Sequence, residues 1–583
     1  MNLVKSACLV IVVIFVSASA THAAEPPADL IVLNGKLLTV DSKFSTAEAV
    51  AIRDGVFVAV GSNAEVKKLR GDKTRIIDAR GKSVVPGLID SHVHALGVAR
   101  EHAVQPFREL NSISEMQQWV RERAAALPEG KWIQTPRVDV TRIKERRFPT
   151  RAELDAAAPK HPVVFGWQYA SRQVQIVNSA ALRAASITKD TPDPVGGKIV
   201  KDERGEPTGV LEDPKGLLTR FLARPGVSEA AELDSLTQAH RAYNEVGITS
   251  IFERRTNVDG WRTYLKLKEQ GRLSVRATLT IGLGGDGTEA GTEKAICALP
   301  FKFGEGDDWV RIGPLKIGVD GGVLYGTAYL REPWGMQAAA LYGITDPTYR
   351  GTLQNSPEKI RTMIRTGHRL GWQMSSHVTG DAGVDVVLDA VEAANADSPI
   401  TDRRYTLIHA YFPTADAVRR AAKLGVCVDT QPAWYFKDAD AIVTALGESR
   451  MKNFIGVADW LHGGVKVALN TDHMSGLDPN HALNPFNPFL TMGTAITRKT
   501  EGGRVIGPEQ RISREDALRM MTINAAYLSF DEKRKGSIEA GKLADLAVLA
   551  DDFMKCDADH IKDIRVTATL VGGKVVYEAR PRK

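Results

Sequence analysis

The sequence predicts an α/β protein: a (β/α)8 barrel that carries an inserted α/β segment, with a small β-sandwich domain formed from both chain ends. Three observations predict it. Between residues 84 and 530, eight apolar runs of strand length alternate with helical stretches, the pattern of βα units around a parallel sheet. The first two runs lie about 150 residues apart, far more than a βα connection needs, so residues 100–235 or thereabouts hold an insertion. Both ends, 25–83 and 531–583, read instead as short strands separated by turn residues.

In chain order, residues 1–24 come first. Lys5 precedes an apolar stretch from Ala7 to Val16 and then the small residues Ser17 to Ala24. That is a positive n-region, an h-region and a cleavage zone, which together predict a secretory signal peptide cut after Ala20 or Ala23, and hence an exported, periplasmic protein. The stretch is too short to span a bilayer, and no later stretch is long and apolar enough, so no membrane span is expected in the mature chain. Asn34-Gly35 and Asp54-Gly55 are hairpin signals among the strands of the first end. The eight runs are Val84–His92, Gly247–Glu253, Val275–Gly282, Arg311–Asp320, Gly371–His377, Arg404–His409, Gly425–Gln431 and Val465–Asp472. Amphipathic helices are expected over Pro357–Leu370 and Ala415–Leu424, and further helix over 511–530. Val566–Val571, Gly572-Gly573 and Lys574–Tyr577 form a closing hairpin.

Charge and cysteine content narrow the class. The 76 basic and 70 acidic residues are interspersed, with no basic arm, so nucleic acid is not an expected partner. Cys297, Cys427 and Cys556, left once Cys8 departs with the leader, are scattered and offer neither a disulfide framework nor a thiolate metal site.

The chemistry gathers at strand ends. The first run closes on His92-Val93-His94. Residues i and i+2 of a strand point to one side, so the two imidazoles can face the barrel mouth and share one ion. Alone this is a weak motif; at the C-terminal end of a barrel strand, where barrel enzymes place their chemistry, it is stronger. Asp320, His377, His409 and Asp472 end four other apolar runs, with Lys316 within the fourth. Imidazole and carboxylate are what zinc takes when thiolate is absent.

These segments, with Val85 to His94, Val177-Asn178-Ser179-Ala180-Ala181-Leu182, Gly247-Ile248-Thr249-Ser250, Gln431-Pro432 and Gly541-Lys542-Leu543-Ala544-Asp545-Leu546, are similar to the amidohydrolase superfamily, and within it to amidohydrolase family 3, the N-substituted formamide deformylase-like branch. The resemblance implies two zinc ions: His92 and His94 hold the more buried one, His377 and His409 the second, and Lys316, carboxylated by CO2, bridges them. It implies that Asp472 contacts metal and acts as general base, and that a metal-activated water cleaves an amide-type C–N bond, other than peptide bonds of proteins, in a small-molecule substrate. Where relatives carry Asp-Gly-His this chain has Ser171-Arg172-Gln173; after Gly-Ile-Thr-Ser it has Ile251-Phe252-Glu253; after Asp472 it has His473. Gln173, Glu253, Asp320 and His473 are therefore the expected substrate contacts. Deamination of a heterocycle is the alternative chemistry, since it uses the same activated water. A non-catalytic periplasmic binding protein is the third reading, and the full ligand set speaks against it. A homodimer is compatible with the sequence.

Overall fold

Eight parallel strands form the centre of the molecule: β1 (Leu88–Val93), β2 (Ile248–Thr256), β3 (Arg276–Gly282), β4 (Val310–Gly318), β5 (Met374–Val378), β6 (Thr406–His409), β7 (Cys427–Thr430) and β8 (Lys466–Leu469). They are seen in a computed structural model that describes residues 26–169, 172–214, 216–222 and 226–580. The proposed leader lies outside the described residues. Neighbours pair in sequence order from β1 to β8. The cylinder closes through one parallel bridge, Val93 to His473, where His94 N–H donates to the His473 carbonyl at 2.9 Å. Buried aliphatic side chains from Leu88, Ile251, Leu279, Leu315, Leu407, Val428 and Val467 fill the core, as expected of strands covered on both faces.

The first apolar run is two strands rather than one. Ser83–Pro86 belongs to the flanking sandwich, where it pairs antiparallel with Leu546–Leu549, and the barrel strand begins at Leu88. Gly87 makes the transfer between sheets, for a Cβ there would sit 2.2 Å from Thr249 Oγ1 and 2.9 Å from Asp545 Cβ. An uninterrupted apolar run hides this break, because both halves are buried.

The insertion is a mixed five-stranded sheet in the order Lys198–Lys201, Pro207–Glu212, Arg172–Val177, Val163–Tyr169, Ile133–Gln134, with helices Ile113–Ala126, Arg151–Ala157 and Ser179–Ala184. Helix Glu229–Glu245 returns the chain to β2. The sandwich has a four-stranded sheet from residues 30–78 and a six-stranded sheet that sets three strands from residues 36–86 beside three from 546–578. Leu30, Val32, Val50 and Phe57 pack there with Leu546, Val548 and Leu570. Asp54 and Gly55 take left-handed backbone (φ +51° and +77°) in a two-residue hairpin, as do Gly572 and Gly573 (φ +55° and +71°). Asn34-Gly35 makes no hairpin. It carries the chain from one sheet to the other, since Leu30–Leu33 and Lys36–Leu38 lie in different sheets. No helix among the described residues is long and apolar enough to cross a membrane.

Candidate metal centre

The C-terminal ends of β1 and β8 meet at a cluster of three donors. His92 Nε2 and His94 Nε2 lie 3.3 Å apart, and each lies 3.3 Å from Asp472 Oδ1. Such spacing equals the edge, about 3.3 Å, of a tetrahedron of ligands around zinc bound at about 2.0–2.1 Å. Asp472 Oδ1 is buried and accepts no hydrogen bond from the described residues. Burial pushes the His94 imidazole below its ordinary pKa, and burial with the nearby Lys316 pushes His92 well below it. Both rings are thus neutral at pH 7 and present lone pairs, so the donor set fits a divalent cation.

The next strands extend the cluster. Lys316 Nζ, on β4, lies 3.2 Å from His92 Nε2; it is buried and pairs with no carboxylate among the described residues. Burial, aided by the guanidinium of Arg254, lowers its amine to about 7. The His377 and His409 ring centroids are 4.5 Å apart, and His409 lies 5.4 Å from His92. His409 Nδ1 is 2.9 Å from Gln431 Oε1, an acceptor, so Nδ1 carries the ring proton and Nε2 keeps its lone pair. His377 Nε2 is 3.2 Å from the Gly321 carbonyl, which leaves Nδ1 as the unprotonated nitrogen of the neutral ring. Burial, again with Lys316 nearby, takes His377 down to about 3. His409 and Asp472 both sit in left-handed backbone, φ +80° and +49°. Non-glycine residues adopt this conformation rarely, and it concentrates at functional sites.

Beneath the cluster a polar network fixes the strand ends. Asp90 accepts the backbone N–H groups of His92 (3.2 Å) and Thr471 (3.1 Å), and also the Thr471 hydroxyl. Asp429 accepts from Ser91 Oγ (2.6 Å), Asn470 Nδ2 (2.5 Å) and Arg254 Nη2 (2.6 Å). Both strands that carry the triad are therefore held one or two residues before the donors.

The cluster above that network opens on a cavity of about 620 Å³ lined by His92, His94, Lys316, His377, His409 and Asp472. Gln173 lines it too, from the inserted sheet. The structure places the other three expected substrate contacts outside its wall. Glu253 is buried against helix α1 (Ala95–Val104), where it accepts the Leu96 N–H and the Tyr264 hydroxyl; it pairs with neither Arg254 nor Arg255, and burial raises it to about 7. Asp320 is buried and accepts the backbone N–H groups of Tyr329, Thr379 and Gly380, so it shapes the loop that follows His377. His473 is buried between the Tyr243 hydroxyl (2.8 Å) and the Gly476 carbonyl (2.7 Å). Glu253 lies within β2, and Asp320 and His473 follow β4 and β8, but none of the three lines the cavity. Sequence reasoning passed over Arg137, Gln175 and Arg255, which do line the cavity. Strand alternation from Gln173 would have found Gln175; nothing in the sequence singles out Arg137 or Arg255.

A parallel barrel with a His-His-Asp cluster able to hold a metal at its C-terminal mouth has the layout of a barrel enzyme. The model of the amidohydrolase family matches residues 75–577, and the chain belongs to that family. It is a hydrolase acting on carbon–nitrogen bonds. It is 30% identical to the N-substituted formamide deformylase of Arthrobacter pascens, over 94% of this chain and 98% of that one. It is likewise 30% identical to the protein LONG AFTER FAR-RED 3 of Arabidopsis thaliana, over 96% of this chain and 93% of that one. Among solved structures, a metal-dependent hydrolase from Pyrococcus horikoshii shares the fold, with a TM-score of 0.65 at 22% identity over 91% of this chain and 99% of that one.

Proposed function

We propose that this protein is an exported hydrolase that cleaves an amide-type C–N bond in a small molecule at a dinuclear zinc centre. The observation that carries the reading is the convergence of His92 Nε2, His94 Nε2 and the buried Asp472 Oδ1. His92 and His94 would hold one ion, His377 and His409 the other. Lys316 would lie between them as a carbamate, formed when its amine adds to CO2 and releases one proton. A buried lysine that forms no ion pair with a carboxylate among the described residues supports that assignment, because an unpaired ammonium is costly to bury. When bound, the metal supplies Lewis acidity toward a carbonyl oxygen and lowers the pKa of water. Asp472 takes the proton released as water adds to the carbonyl carbon. It returns that proton to the leaving nitrogen as the C–N bond breaks, so one carboxylate serves as base and then acid. A cavity of about 620 Å³ suits a small molecule rather than a folded protein. The A-x-A pattern before Thr21 supports export.

Metal analysis of the purified protein, with a screen of N-acyl amino acids, formamides, lactams and esters, tests this. Two zinc ions per chain are expected, with a loss of at least about 100-fold in kcat/KM on His92→Ala. Metal-free protein whose activity survives His92→Ala would sink the proposal. Lys316→Ala should lose metal and regain part of its activity with added short-chain acids; unchanged metal content would remove the carbamate. Periplasmic protein should begin at Thr21 or Ala24, and retention of residues 1–20 would contradict cleavage.

A further inference from the structure

Asp472 holds left-handed backbone, φ +49°. A non-glycine residue keeps such a conformation only where its surroundings over-determine it. Hydrogen bonds on three successive residues do so here. The Thr471 N–H reaches Asp90 at 3.1 Å, and the His473 carbonyl accepts the His94 N–H at 2.9 Å. Those two partners belong to β1 and the residue after it, across the barrel seam. The third bond comes from elsewhere. Asn484 Nδ2 donates to the carbonyl of Asp472 itself, at 2.6 Å.

Asn484 is fully buried in the loop that follows β8, and its amide has one orientation open to it. Arg142 Nη1 lies 3.3 Å from Asn484 Oδ1. A guanidinium can only donate, so the amide oxygen faces the arginine and the amide NH2 group faces Asp472. Arg142 also donates to the Leu483 carbonyl. Its other edge is fixed, because Nε and Nη2 form a two-bond fork with Asp438, at 2.9 and 2.8 Å. Asp438 is buried on helix Pro432–Met451, which follows β7, and it accepts the Thr141 hydroxyl as well, at 2.8 Å. The guanidinium is thus clamped between two barrel loops. Swinging it away from Asn484 would leave a buried carboxylate unpaired, which is costly.

Arg142 is not a residue of the barrel. It ends the short turn Val140–Arg142 within the insertion. The same turn reaches the cavity wall in the other direction. Asp139 pairs with Arg142 at 3.9 Å and accepts the Tyr325 hydroxyl at 3.0 Å, and the Tyr325 oxygen accepts in turn from Arg137. Tyr325 and Arg137 line the cavity. One buried polar chain therefore runs from the cavity wall, through the insertion, to the backbone of Asp472.

We propose that the insertion braces the metal-binding carboxylate: Asn484 is a positioning residue that sets the backbone of Asp472, and Arg142 holds Asn484 in that role. One Cα carries both the carbonyl and the side chain, so turning the carbonyl moves Oδ1 against the two imidazoles. Metal sites tolerate only about 0.2 Å of departure in their bond lengths. The role rests on the metal centre proposed above, but not on the reaction proposed for it.

The test uses full-length protein stripped of metal and reloaded. Zinc affinity is measured by competition with a chromophoric chelator, cobalt(II) coordination by visible absorption, and stability by thermal unfolding of the metal-free protein. Asn484→Asp keeps the size of the side chain and a partner for Arg142, but has no N–H to give the Asp472 carbonyl. It should lose zinc affinity by about 10- to 100-fold, the usual effect of removing a group that orients a ligand, and should alter the cobalt(II) absorption. Its metal-free melting temperature should fall by about 3 °C or less. Arg142→Lys keeps a charge beside Asp438 but loses the fork that orients the amide. A smaller loss of zinc affinity is expected, and this variant decides the matter should Asn484→Asp not fold. Asn178→Asp is the control, for Asn178 is an equally buried amide whose partners, Ala158, His161, Val163 and Ala181, all lie in the insertion. It should cost stability and leave zinc affinity unaltered. Zinc affinity and cobalt(II) absorption equal to the wild type in the deciding variant overturn the proposal, and so does an equal loss in Asn178→Asp. A wild type that binds neither zinc nor cobalt(II) overturns the metal centre and this role together, whereas an unaltered variant of a zinc-binding protein overturns this role alone.

Discussion

Asp429 is fully buried, and it joins three parts of the barrel interior. It anchors Ser91 before His92, Asn470 before Asp472, and the guanidinium of Arg254. Removing it would leave Arg254 buried and unpaired. Asp429→Ala should therefore cost about 3–5 kcal/mol of stability, the range for breaking one half of a buried ion pair. Denaturant unfolding measures this, and a loss under about 1 kcal/mol would show that Arg254 finds other compensation. The residue scale is also where sequence reading divides most sharply. His92, His94, His377, His409 and Asp472 were legible because each is a polar residue ending an otherwise apolar run. Asp429 and Arg254 were not, because their pairing spans 175 residues across the barrel axis. Glu253, Asp320 and His473, expected at the substrate, lie outside the cavity wall for one shared reason. Position near a strand end says how high a side chain sits, and not which way it turns.

Elements carry their own signatures. Helix Glu229–Glu245 bears His240, which is fully buried with neither ring nitrogen hydrogen-bonded to a described residue, beside the rings of Tyr243 and Tyr264. Burial lowers its pKa from 6.5 to about 3. The sign follows directly. The unfolded chain takes up a proton below about pH 6.5 while the folded chain resists until about 3, so the stabilising contribution is complete above pH 6.5 and is lost as pH falls toward 3. Stability of metal-free protein should fall across that window, and His240→Phe should flatten the slope by about 1.4 kcal/mol per pH unit. Parallel slopes for the two proteins would place the buried proton elsewhere. Helix and strand existence was legible at this scale, as Pro357–Arg369 and Ala415–Lys423 illustrate. The break at Gly87 and the bulge at Arg255, where β2 slips against β3, were not, for both depend on what lies across the sheet.

At the scale of the whole molecule, barrel, insertion and two-ended sandwich were all visible in the chain, since alternation and turn residues repeat over long stretches. The strand order within the insertion was not, and with it went the place of Gln173 and Gln175 in the cavity wall. The barrel seam between β1 and β8 has a single bridge, and the metal-binding triad straddles it with two donors on one side and one on the other. A bound ion would span that seam. Chelation should then lower the melting temperature by mass action, and should raise hydrogen exchange in residues 88–94 and 466–473 more than in β3 to β5. Uniform exchange across all eight strands would deny the ion this role.

The seam also sets an order of events. Asp90 and Thr471 are 381 residues apart in the chain. At a ribosomal pace of about 5–20 residues per second, the eighth strand emerges about 20–80 s after the first. For that interval His92 and His94 exist without Asp472 and without a closed cylinder around them. Loading with metal thus belongs to the end of the protein's biogenesis, and a chain that stops short of residue 472 would never possess the complete triad.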